Sequence, residues 1–440
     1  MTMLSPPGSA SSSIMDQNRS AAGSSSRREA PFSGQTSSSQ YPPTSAAYNT
    51  FPPTSGTAVG APEPSPPPSL LGQAARDQAS SFTSTWITPA STEDLAGDDD
   101  DNYADTDFVF ENGRRYHAPA SGRVVYPLPN DESEQERDDM KHKLALWMMH
   151  EKLLYSPVEE SLEQGGMVLD LGTGTGEWAM DRANAMAPKF NEICTSHVVV
   201  FSRQWCAVAQ RYGKSQIFGC DISPIQPAYV WDNVFFSADD FEEEWTDYPE
   251  NAFDFIHMRY TAFSIKDPAA LLQRIMRHLK PGGYVEFQEM TYWPRSDDNT
   301  LTDTTPYAFR DFCYYVQMGV ANLGLDLHMI NRLPAAMRAA GFDDVTEARH
   351  KLPIGRWARD RKMRQKGIWF LRMILMEGLS AIAKRPLTQG LGWKAEQVEM
   401  FLVDVRKSLN DTGVHAYFPF TVVYGRKPLE GGGPAATSLR

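Results

Sequence analysis

The chain has 440 residues, a length that predicts one large domain with tails, or roughly two or three domains. Its hydrophobic fraction of 41% is enough for a sizeable core, and its formal net charge of −13 argues against a general nucleic-acid binder, which needs a basic face. We expect neither a disulfide framework nor a metal site from Cys194, Cys206, Cys220 and Cys313, and no membrane span, because no apolar run reaches about eighteen residues.

Low-complexity sequence fills residues 1–107, which are dominated by Ser, Pro, Ala, Gly and Thr. Such a composition buries too little apolar surface to offset the entropy cost of ordering, so we predict a disordered tail. The tail ends in the acidic run Asp98–Asp101, which we interpret as a solvated spacer, with an interaction tail as the alternative. Residues 431–440 are predicted to form a second, short disordered tail.

Ordered structure is predicted to begin near Phe108, where FVFENGRRYH is typical of a strand followed by a turn. Asp131 and Glu134 then form a capping-box pattern ahead of apolar residues at helical spacing. We expect Pro157 to stop this helix, so the sequence predicts a helix over residues 131–156.

From Met167 onward, apolar strand-like runs alternate with helical patterns. The segments Met167–Leu171, Phe253–Met258 and Tyr284–Met290 are predicted to be buried parallel strands. Between the last two, Pro268–Leu279 is predicted to be a helix. This alternation predicts a parallel, doubly wound α/β sheet.

The C-terminal part of the sequence predicts further helices and strands. They are a helix at Leu333–Ala340, a strand at Asp344–Leu352, helices at Trp357–Lys384 and Lys394–Leu409, and a strand at His415–Gly425. Basic residues crowd the start of the first long helix, namely Arg356, Arg359, Arg361, Lys362, Arg364 and Lys366. We interpret them as a solvated face, with a partner or nucleic-acid patch as the alternative.

The stretch DLGTGTG, Asp170–Gly176, follows a predicted strand and precedes a predicted helix. Its glycines permit a tight turn and a close approach of the backbone to a ligand. The sixth position counted from Gly172 is Glu177, so the dinucleotide fingerprint is not met, and no Lys-Ser/Thr pair follows for a P-loop. The pattern resembles motif I of the class I methyltransferases, which implies S-adenosylmethionine as the cofactor.

Further pieces of that pattern follow in the expected order. Asp221 ends the second predicted strand, where a carboxylate can accept both ribose hydroxyls, and Asp239 ends the third, where it can accept from an adenine amine. A single Asp at a strand end is more often a helix cap. LKPGGYVEFQE matches the helix exit and fifth strand usual in this superfamily. The resemblance implies a doubly wound, mostly parallel, seven-stranded class I methyltransferase sheet with helical additions.

Several stretches narrow the resemblance, among them ENGRRYH, GTGTGEWA, CDISPIQP and FPFTVVYGRKP. They are similar to the fungal LaeA-like methyltransferases, the family of velvet-complex and secondary-metabolism regulators. The resemblance implies a methyltransferase domain over 108–430, with a cofactor-binding core at 167–292 and a helical substrate or partner region at 355–410. It also implies a nuclear location, with the cytoplasm as the alternative, and partners of the velvet type.

The resemblance assigns residues to the cofactor and leaves the catalytic residues unknown. The cofactor-binding set is Asp170, Gly172, Thr173, Gly174, Gly176, Trp178, Asp221, Ile222, Asp239, Met258 and Arg259. The active face at the ends of the fourth and fifth strands further offers His257, Tyr260, Gln288 and Glu289, of which His257 is more often a packed strand residue.

The predicted helix at 131–156 is interpreted as a lid over the cofactor. Its Arg137 and His142 would then meet the methionine carboxylate, with plain surface positions as the alternative. Tyr116 and Trp178 could wall the pocket, although core packing is the commoner role for such side chains.

Methyl transfer from a sulfonium needs alignment and exclusion of water more than covalent help, so we expect no catalytic triad. Three functions stay open: an active regulator in a nuclear complex, a small-molecule methyltransferase, and a non-enzymatic scaffold. A small-molecule enzyme should carry an apolar pocket formed by the helices between Trp357 and Leu409, whereas a regulator should show an exposed partner surface. We expect no membrane and no direct nucleic-acid partner, and the methyl acceptor is unknown.

One spacing departs from the pattern. Gly176 and Asp221 lie 45 positions apart, whereas the acidic residue usually follows the glycine loop by about 20 positions. We hypothesise that Asn191–Tyr212 is a translated intron, with a genuine surface insertion as the alternative.

Overall fold

The computed structural model describes residues 108–118, 126–180, 207–228 and 230–429. The predicted disordered tails at 1–107 and 431–440, the acidic run, Cys194 and Cys206 lie outside these residues. Cys220 and Cys313 are buried free thiols. Within the described residues, no helix is long and apolar enough to cross a membrane.

Nine strands are present in the described part of the chain. They are β1 Phe108–Glu111, β2 Arg114–His117, β3 Met167–Leu171, β4 Gln216–Asp221, β5 Val234–Ala238, β6 Phe253–Arg259, β7 Leu279–Met290, β8 Asp343–Pro353 and β9 Tyr417–Arg426. The pattern FVFENGRRYH predicts a strand and a turn, and the structure adds a second strand, so that β1 and β2 form a hairpin outside the main sheet.

The same residues form nine α-helices. They are α1 Glu132–Met148, α2 Glu159–Gln164, α3 Val208–Arg211, α4 Pro268–His278, α5 Ala308–Asn322, α6 Leu333–Ala339, α7 Arg361–Trp369, α8 Glu377–Arg385 and α9 Ala395–Leu409. Two π-helical segments, Phe370–Met376 and Pro386–Gly390, flank α8, and short 3₁₀ turns occur at Ala262–Ser264 and Met329–Asn331.

The main sheet has seven strands in the order β5-β4-β3-β6-β7-β9-β8. Strands β3 to β7 run parallel, and β9 is antiparallel to both of its neighbours. The strand order reverses at β3, so the crevice outside the carboxyl ends of β3, β4 and β6 is the place where such sheets bind ligands. The predicted fold class is confirmed.

Both faces of the parallel strands are covered, which explains why these strands read as continuous apolar runs. Side chains that alternate along β3 enter opposite cores: Val168 packs with Ile217 and Phe255, and Leu169 packs with Phe218. A third core joins α1, α5, α8 and α9 to β9 and forms the helical addition to the sheet.

The first long helix ends earlier than predicted. Asp131 caps it, since its side chain accepts a hydrogen bond from the Glu134 N–H, but the chain leaves the helix at Met148 and not at Pro157. His150 and Glu151 have φ values of 57° and 64°, a left-handed conformation that ends the helix.

The segment after this helix is held on the sheet by a buried carboxylate. Glu286 accepts hydrogen bonds from the backbone N–H groups of Tyr155 and Ser156 and from the Ser156 hydroxyl at 2.7–3.1 Å. A buried carboxylate needs such donors, because an unpaired one would cost several kcal/mol.

The helical region near the C-terminus also differs in detail from the prediction. The predicted helix Trp357–Lys384 starts at Arg361, capped by Asp360, and passes through the π-helical segment Phe370–Met376. Lys366 at the end of the basic stretch is buried, and its ammonium donates to the Trp147 carbonyl at 2.7 Å. Helix α5 has no side-chain cap and was not predicted from the sequence.

After the glycine loop, two separate stretches of chain form a helix-like run of hydrogen bonds that leads into α3. The Met180 N–H donates to the Gly176 carbonyl at 2.8 Å, as in a helical turn. The N–H groups of Val208 and Ala209 then donate to the carbonyls of Trp178 and Ala179, at 3.4 and 3.2 Å. If the 26 residues 182–207 were removed, these bonds would join residues four apart and continue the same helix.

This register changes the bounds of the hypothesised extra segment. Val208, Ala209 and Tyr212 are buried in the core beside Trp178, so the predicted boundary at Tyr212 is wrong. Without residues 182–207, Gly176 and Asp221 would lie 19 positions apart, close to the usual spacing of about 20. Residues 191–206 of the hypothesised intron lie outside the described part of the chain.

Two deletion variants test this assignment. We expect a chain without residues 182–207 to fold with an unchanged or higher melting temperature, because the deletion joins two halves of one helix. A chain without residues 191–212 should be strongly destabilised, since losing buried side chains such as Val208 and Tyr212 costs about 2–5 kcal/mol each. Thermal unfolding followed by circular dichroism compares the two; the opposite ranking would refute the helical register.

Candidate active site

An open cleft, with a cavity volume of about 150 Å³, lies outside the carboxyl ends of the parallel strands. Of the predicted cofactor-binding residues, its wall includes Gly172, Thr173, Gly174, Trp178, Asp221, Ile222 and Arg259. The structure therefore brings together residues of the glycine loop with the ends of β4 and β6. Asp170, Gly176, Asp239 and Met258 do not line this cleft.

Two glycines of the loop meet different requirements. Gly174 has a φ of 58°, and a Cβ atom there would face open space, so the bare backbone borders the cleft. Gly176 has a φ of 79°, and a Cβ atom there would lie 2.5 Å from the Phe236 ring. Gly174 thus leaves room for a ligand at the backbone, whereas Gly176 lets the loop pack against β5.

Asp170 orders the loop from behind. Its buried carboxylate accepts a hydrogen bond from the Thr173 hydroxyl at 2.7 Å and contacts the His257 Nδ1 atom at 2.8 Å. His257 is fully buried and stacks on Trp178, with ring centroids 3.8 Å apart. Asp170 and His257 are therefore packing and positioning residues, and Trp178 is both a core residue and part of the cleft wall.

Asp221 joins the end of β4 to the glycine loop. Its two carboxylate oxygens accept hydrogen bonds from the backbone N–H groups of Gly174 and Ser223, both at 2.9 Å. Burial raises the pKa of Asp221 to about 6. Each carboxylate oxygen has a second acceptor position, so Asp221 can hold the loop and still accept from a ribose hydroxyl.

The end of β5 requires a correction. Asp239 is exposed and lies outside the cleft wall, whereas Asp240, predicted to be merely solvated, contributes to that wall together with Phe241 and Glu242. Because Asp240, Phe241 and Glu242 follow one another in the turn after β5, this turn decides which aspartate faces the cleft.

On β6, successive side chains point alternately to the core and to the cleft. Met258 packs in the core, where it is 1% exposed, and its neighbour Arg259 faces the cleft. Residues at the end of β7 are also turned away: Gln288 donates to the Leu153 carbonyl at 3.0 Å, and Glu289 accepts from the N–H groups of Ala262 and Met290. Burial raises the pKa of Glu289 to about 7.

Helix α1 lies against the cleft through His142. The His142 Nδ1 atom accepts a hydrogen bond from the Arg259 guanidinium. Burial, and then the charge of Arg259, lower the pKa of His142 well below its usual range, so the ring is neutral. Its Nε2 atom has no hydrogen-bond partner among the described residues, which leaves a donor for a ligand on the cleft wall.

Two further hydrogen bonds fix α1 and the segment before it to the loops of the cleft. The Thr175 hydroxyl in the glycine loop donates to Asp139 at 3.1 Å, and the Asn130 amide donates to the Ser223 hydroxyl at 3.2 Å. Sequence reasoning missed Asp139 and Asn130, because their partners Thr175 and Ser223 are distant in the sequence and no local pattern pairs them.

Arg137 and Tyr116 do not reach the cleft. Arg137 forms an ion pair with Glu134, with Arg137 Nε and Glu134 Oε2 2.9 Å apart, and the charge of Glu134 offsets its burial and raises the pKa of the guanidinium. Tyr116 is buried beneath the Arg385 guanidinium, which lies 3.7 Å from the centre of its ring. Core packing is the role that the structure gives Tyr116.

A second cavity lies behind the cleft, and we call it the apolar cavity. Its wall includes Phe309, Phe312 and Val316 of α5, Phe370 and Ile374 of the first π-helical segment, and Phe418 of β9. Leu128, Lys141 and Tyr260 belong to the walls of both the cleft and the apolar cavity.

The arrangement fits a cofactor with an adenosine moiety and an amino-acid head. Gly174 leaves a bare backbone, Asp221 offers acceptors for hydroxyl groups, and Arg259 with the free donor of His142 offers partners for a carboxylate. Bound S-adenosylmethionine would supply an electrophilic methyl group. Within the described residues, no cluster of His, Cys, Asp and Glu is suited to a metal ion.

Comparisons with known proteins agree with this site. The family described as a methyltransferase domain matches residues 140–347. Methyltransferase pytC of Aspergillus terreus is 33% identical over 321 residues, which cover 73% of this chain and 88% of the relative. The secondary metabolism regulator laeA of Aspergillus niger is 31% identical over 331 residues, or 74% and 78% of the two chains.

Among solved structures, phosphoethanolamine N-methyltransferase 2 of Haemonchus contortus is 17% identical, covers 69% of this chain and 61% of its own, and gives a TM-score of 0.34. The family assignment follows from the sequence relatives and the site geometry. The chain belongs to the LaeA-like family of S-adenosylmethionine-dependent methyltransferases.

Proposed function

We propose that this methyltransferase acts in the control of secondary metabolism, as relatives named secondary metabolism regulators do. The observation that carries an enzymatic role is the complete cofactor cleft, in which the glycine loop, Asp221 and helix α1 are joined by hydrogen bonds. A scaffold that had lost catalysis would have no need of a bare Gly174 backbone facing open space.

Different residues of the cleft bind different parts of the cofactor. Asp221 accepts from the ribose, Asp240 lies where it can accept from the adenine, and Arg259 with His142 holds the methionine carboxylate. The tight contacts of α1 with the loops exclude water from the methyl group, so that the acceptor meets it in line. A sulfonium methyl donor needs no catalytic triad.

Location and partners are a second part of the proposal. We propose a nuclear location and partners of the velvet type, which rest on kinship with the regulators named above. The exposed start of α7, which carries Arg361, Lys362 and Arg364, offers surface for such partners.

The first prediction concerns Asp221. We expect Asp221→Ala to weaken S-adenosylmethionine binding by at least tenfold, because each hydrogen bond to a charged group contributes about 1.5–3 kcal/mol. Calorimetric titration of the full chain measures the dissociation constant, and the melting temperature shows whether the variant folds. Unchanged binding by a folded Asp221→Ala protein would refute the ribose assignment, and absence of binding by the wild type would favour a scaffold.

The binding should also depend on pH. The pKa of Asp221 is raised to about 6, so the carboxylate is ionised above that value and protonated below it. Because the ribose hydroxyls donate to the ionised form, we expect the affinity seen at pH 8 to be lost as the pH falls through about 6. Asp221→Asn is the matched control and should show weak binding without this pH dependence; an identical pH profile in both proteins would contradict the prediction.

Arg259 should affect only the amino-acid end of the cofactor. We expect Arg259→Gln to weaken S-adenosylhomocysteine binding by at least tenfold and to leave the affinity for methylthioadenosine, which lacks the amino-acid head, unchanged. Asp221→Ala should weaken both ligands. Competition calorimetry distinguishes the two patterns, and equal loss of both ligands in Arg259→Gln would mean that Arg259 shapes the cleft and does not bind the head.

The location is tested in cells. We expect the full chain with a fluorescent tag to accumulate in the nucleus, and Asp221→Ala to do the same, since cofactor binding and import are separate properties. Microscopy with a nuclear stain gives the measurement. Uniform exclusion from the nucleus would overturn the nuclear part of the proposal and leave the methyltransferase assignment intact.

A further inference from the structure

The apolar cavity is positioned to serve the cofactor cleft. Lys141 and Tyr260 separate the two spaces and belong to both walls. The Tyr260 hydroxyl donates to the Lys141 carbonyl at 3.4 Å, and the Lys141 ammonium lies 4.8 Å from the centre of the Tyr260 ring. A molecule in the apolar cavity would therefore be one side-chain layer away from a cofactor in the cleft.

Aromatic rings form one wall of the cavity. The ring of Phe309 stacks between those of Phe312 and Phe418, with centroids 5.7 Å apart in both pairs. Phe370 packs edge-on against Phe418 at 5.8 Å. Such a wall favours a flat ring system, because offset and edge-on ring pairs are favourable beyond simple burial of area.

The charged groups on the cavity wall are already paired within the protein. Arg137 is paired with Glu134, and the Lys141 ammonium lies 2.6 Å from the Asp138 carboxylate. The Cys313 thiol on the same wall has a pKa raised by burial and is uncharged. A charged ligand in the apolar cavity would lose its hydration and would meet charged wall residues that are already paired with other residues. The cavity therefore selects an uncharged molecule.

We propose that the apolar cavity binds the methyl acceptor, and that this acceptor is an uncharged aromatic small molecule. The inference rests on the methyltransferase function proposed above and specifies its substrate class. The acceptor's reacting atom would face Lys141 and Tyr260, and these two side chains would have to part so that it can attack the methyl carbon. As the new bond forms, the carbon–sulfur bond would break, S-adenosylhomocysteine would leave, and the acceptor's proton would pass to solvent through the open cleft. A peptide backbone and its polar side chains fit such a wall poorly, so evidence for a protein acceptor would be the outcome against the proposal.

The cavity must widen when the acceptor binds. Its volume is about 60 Å³, whereas an apolar cavity that holds a benzene ring measures about 150 Å³. Two wall segments, Phe370–Met376 and Pro386–Gly390, are π-helical. π-Helical turns are rare in proteins overall but common at functional sites. We therefore assign the widening of the cavity to these two segments.

The test uses two probes that share the naphthalene ring and differ in charge. The full chain is titrated with 1-naphthol, which is uncharged at neutral pH, and with 1-naphthoate, with and without S-adenosylhomocysteine. We expect saturable binding of 1-naphthol and at least tenfold weaker binding of 1-naphthoate. Absence of 1-naphthol binding in both conditions, or equal affinity for the two probes, would overturn the proposal.

Variants locate the bound probe. Val316→Phe should fill the cavity and weaken 1-naphthol binding by at least tenfold, with the affinity for S-adenosylhomocysteine unchanged. Met318→Phe is the matched control, because Met318 lies on the exposed side of the same helix and is 40% exposed. Should Val316→Phe fail to fold, Cys313→Met narrows the same wall. Equal 1-naphthol affinity in wild type and a folded cavity variant would place the probe elsewhere and refute the site.

The two proposals fail in distinguishable ways. Loss of S-adenosylhomocysteine binding in the wild type would remove the methyltransferase function, whereas intact cofactor binding without 1-naphthol binding would remove only the small-molecule acceptor. The second result would favour an acceptor that docks at the surface.

Discussion

The cleft depends on one buried carboxylate. Asp170 sits at the end of β3, accepts from Thr173 in the glycine loop and contacts His257 on β6, so it fixes the loop relative to two strands. A carboxylate in this position is tolerated only because it has these partners. The resulting loop geometry directs the Gly174 N–H at Asp221, and this hydrogen bond ties the glycine loop to the end of β4. The contacts thus connect the sheet, at Asp170 and His257, through the glycine loop to Asp221 on the cleft wall.

Local patterns predicted the sheet and the loop because both are encoded locally. Apolar runs mark β3, β6 and β7, and the glycine spacing distinguishes this loop from the dinucleotide and P-loop types. The sequence placed Asp239, Met258 and Arg259 together in the cofactor set, and of these only Arg259 lines the cleft, which also includes Asp240. Sequence periodicity does not resolve single residues at a strand end, so it could not separate the side chains that line the cleft from their neighbours.

Helix α1 shows a different limit. Its buried polar residues reach partners distant in sequence: His142 meets Arg259, and Asp139 meets Thr175. The apolar residues of this helix, such as Met140 and Leu144, mark the side that packs in the core, but they do not reveal which of its polar side chains are buried. The alternative of a plain surface position for His142 does not hold, because its partner comes from β6.

The same helix borders both spaces in the molecule. It contributes His142 and Asp138 to the cleft, Arg137 to the apolar cavity, and Lys141 to both. A shift of α1 would therefore alter the shape of both walls at once. Since the rate of methyl transfer depends on alignment and on exclusion of water at the methyl group, the position of α1 sets both conditions together. The polar residues of α1 lie where the helix borders the cleft, and Arg137 and Lys141 reach the apolar cavity only as members of ion pairs.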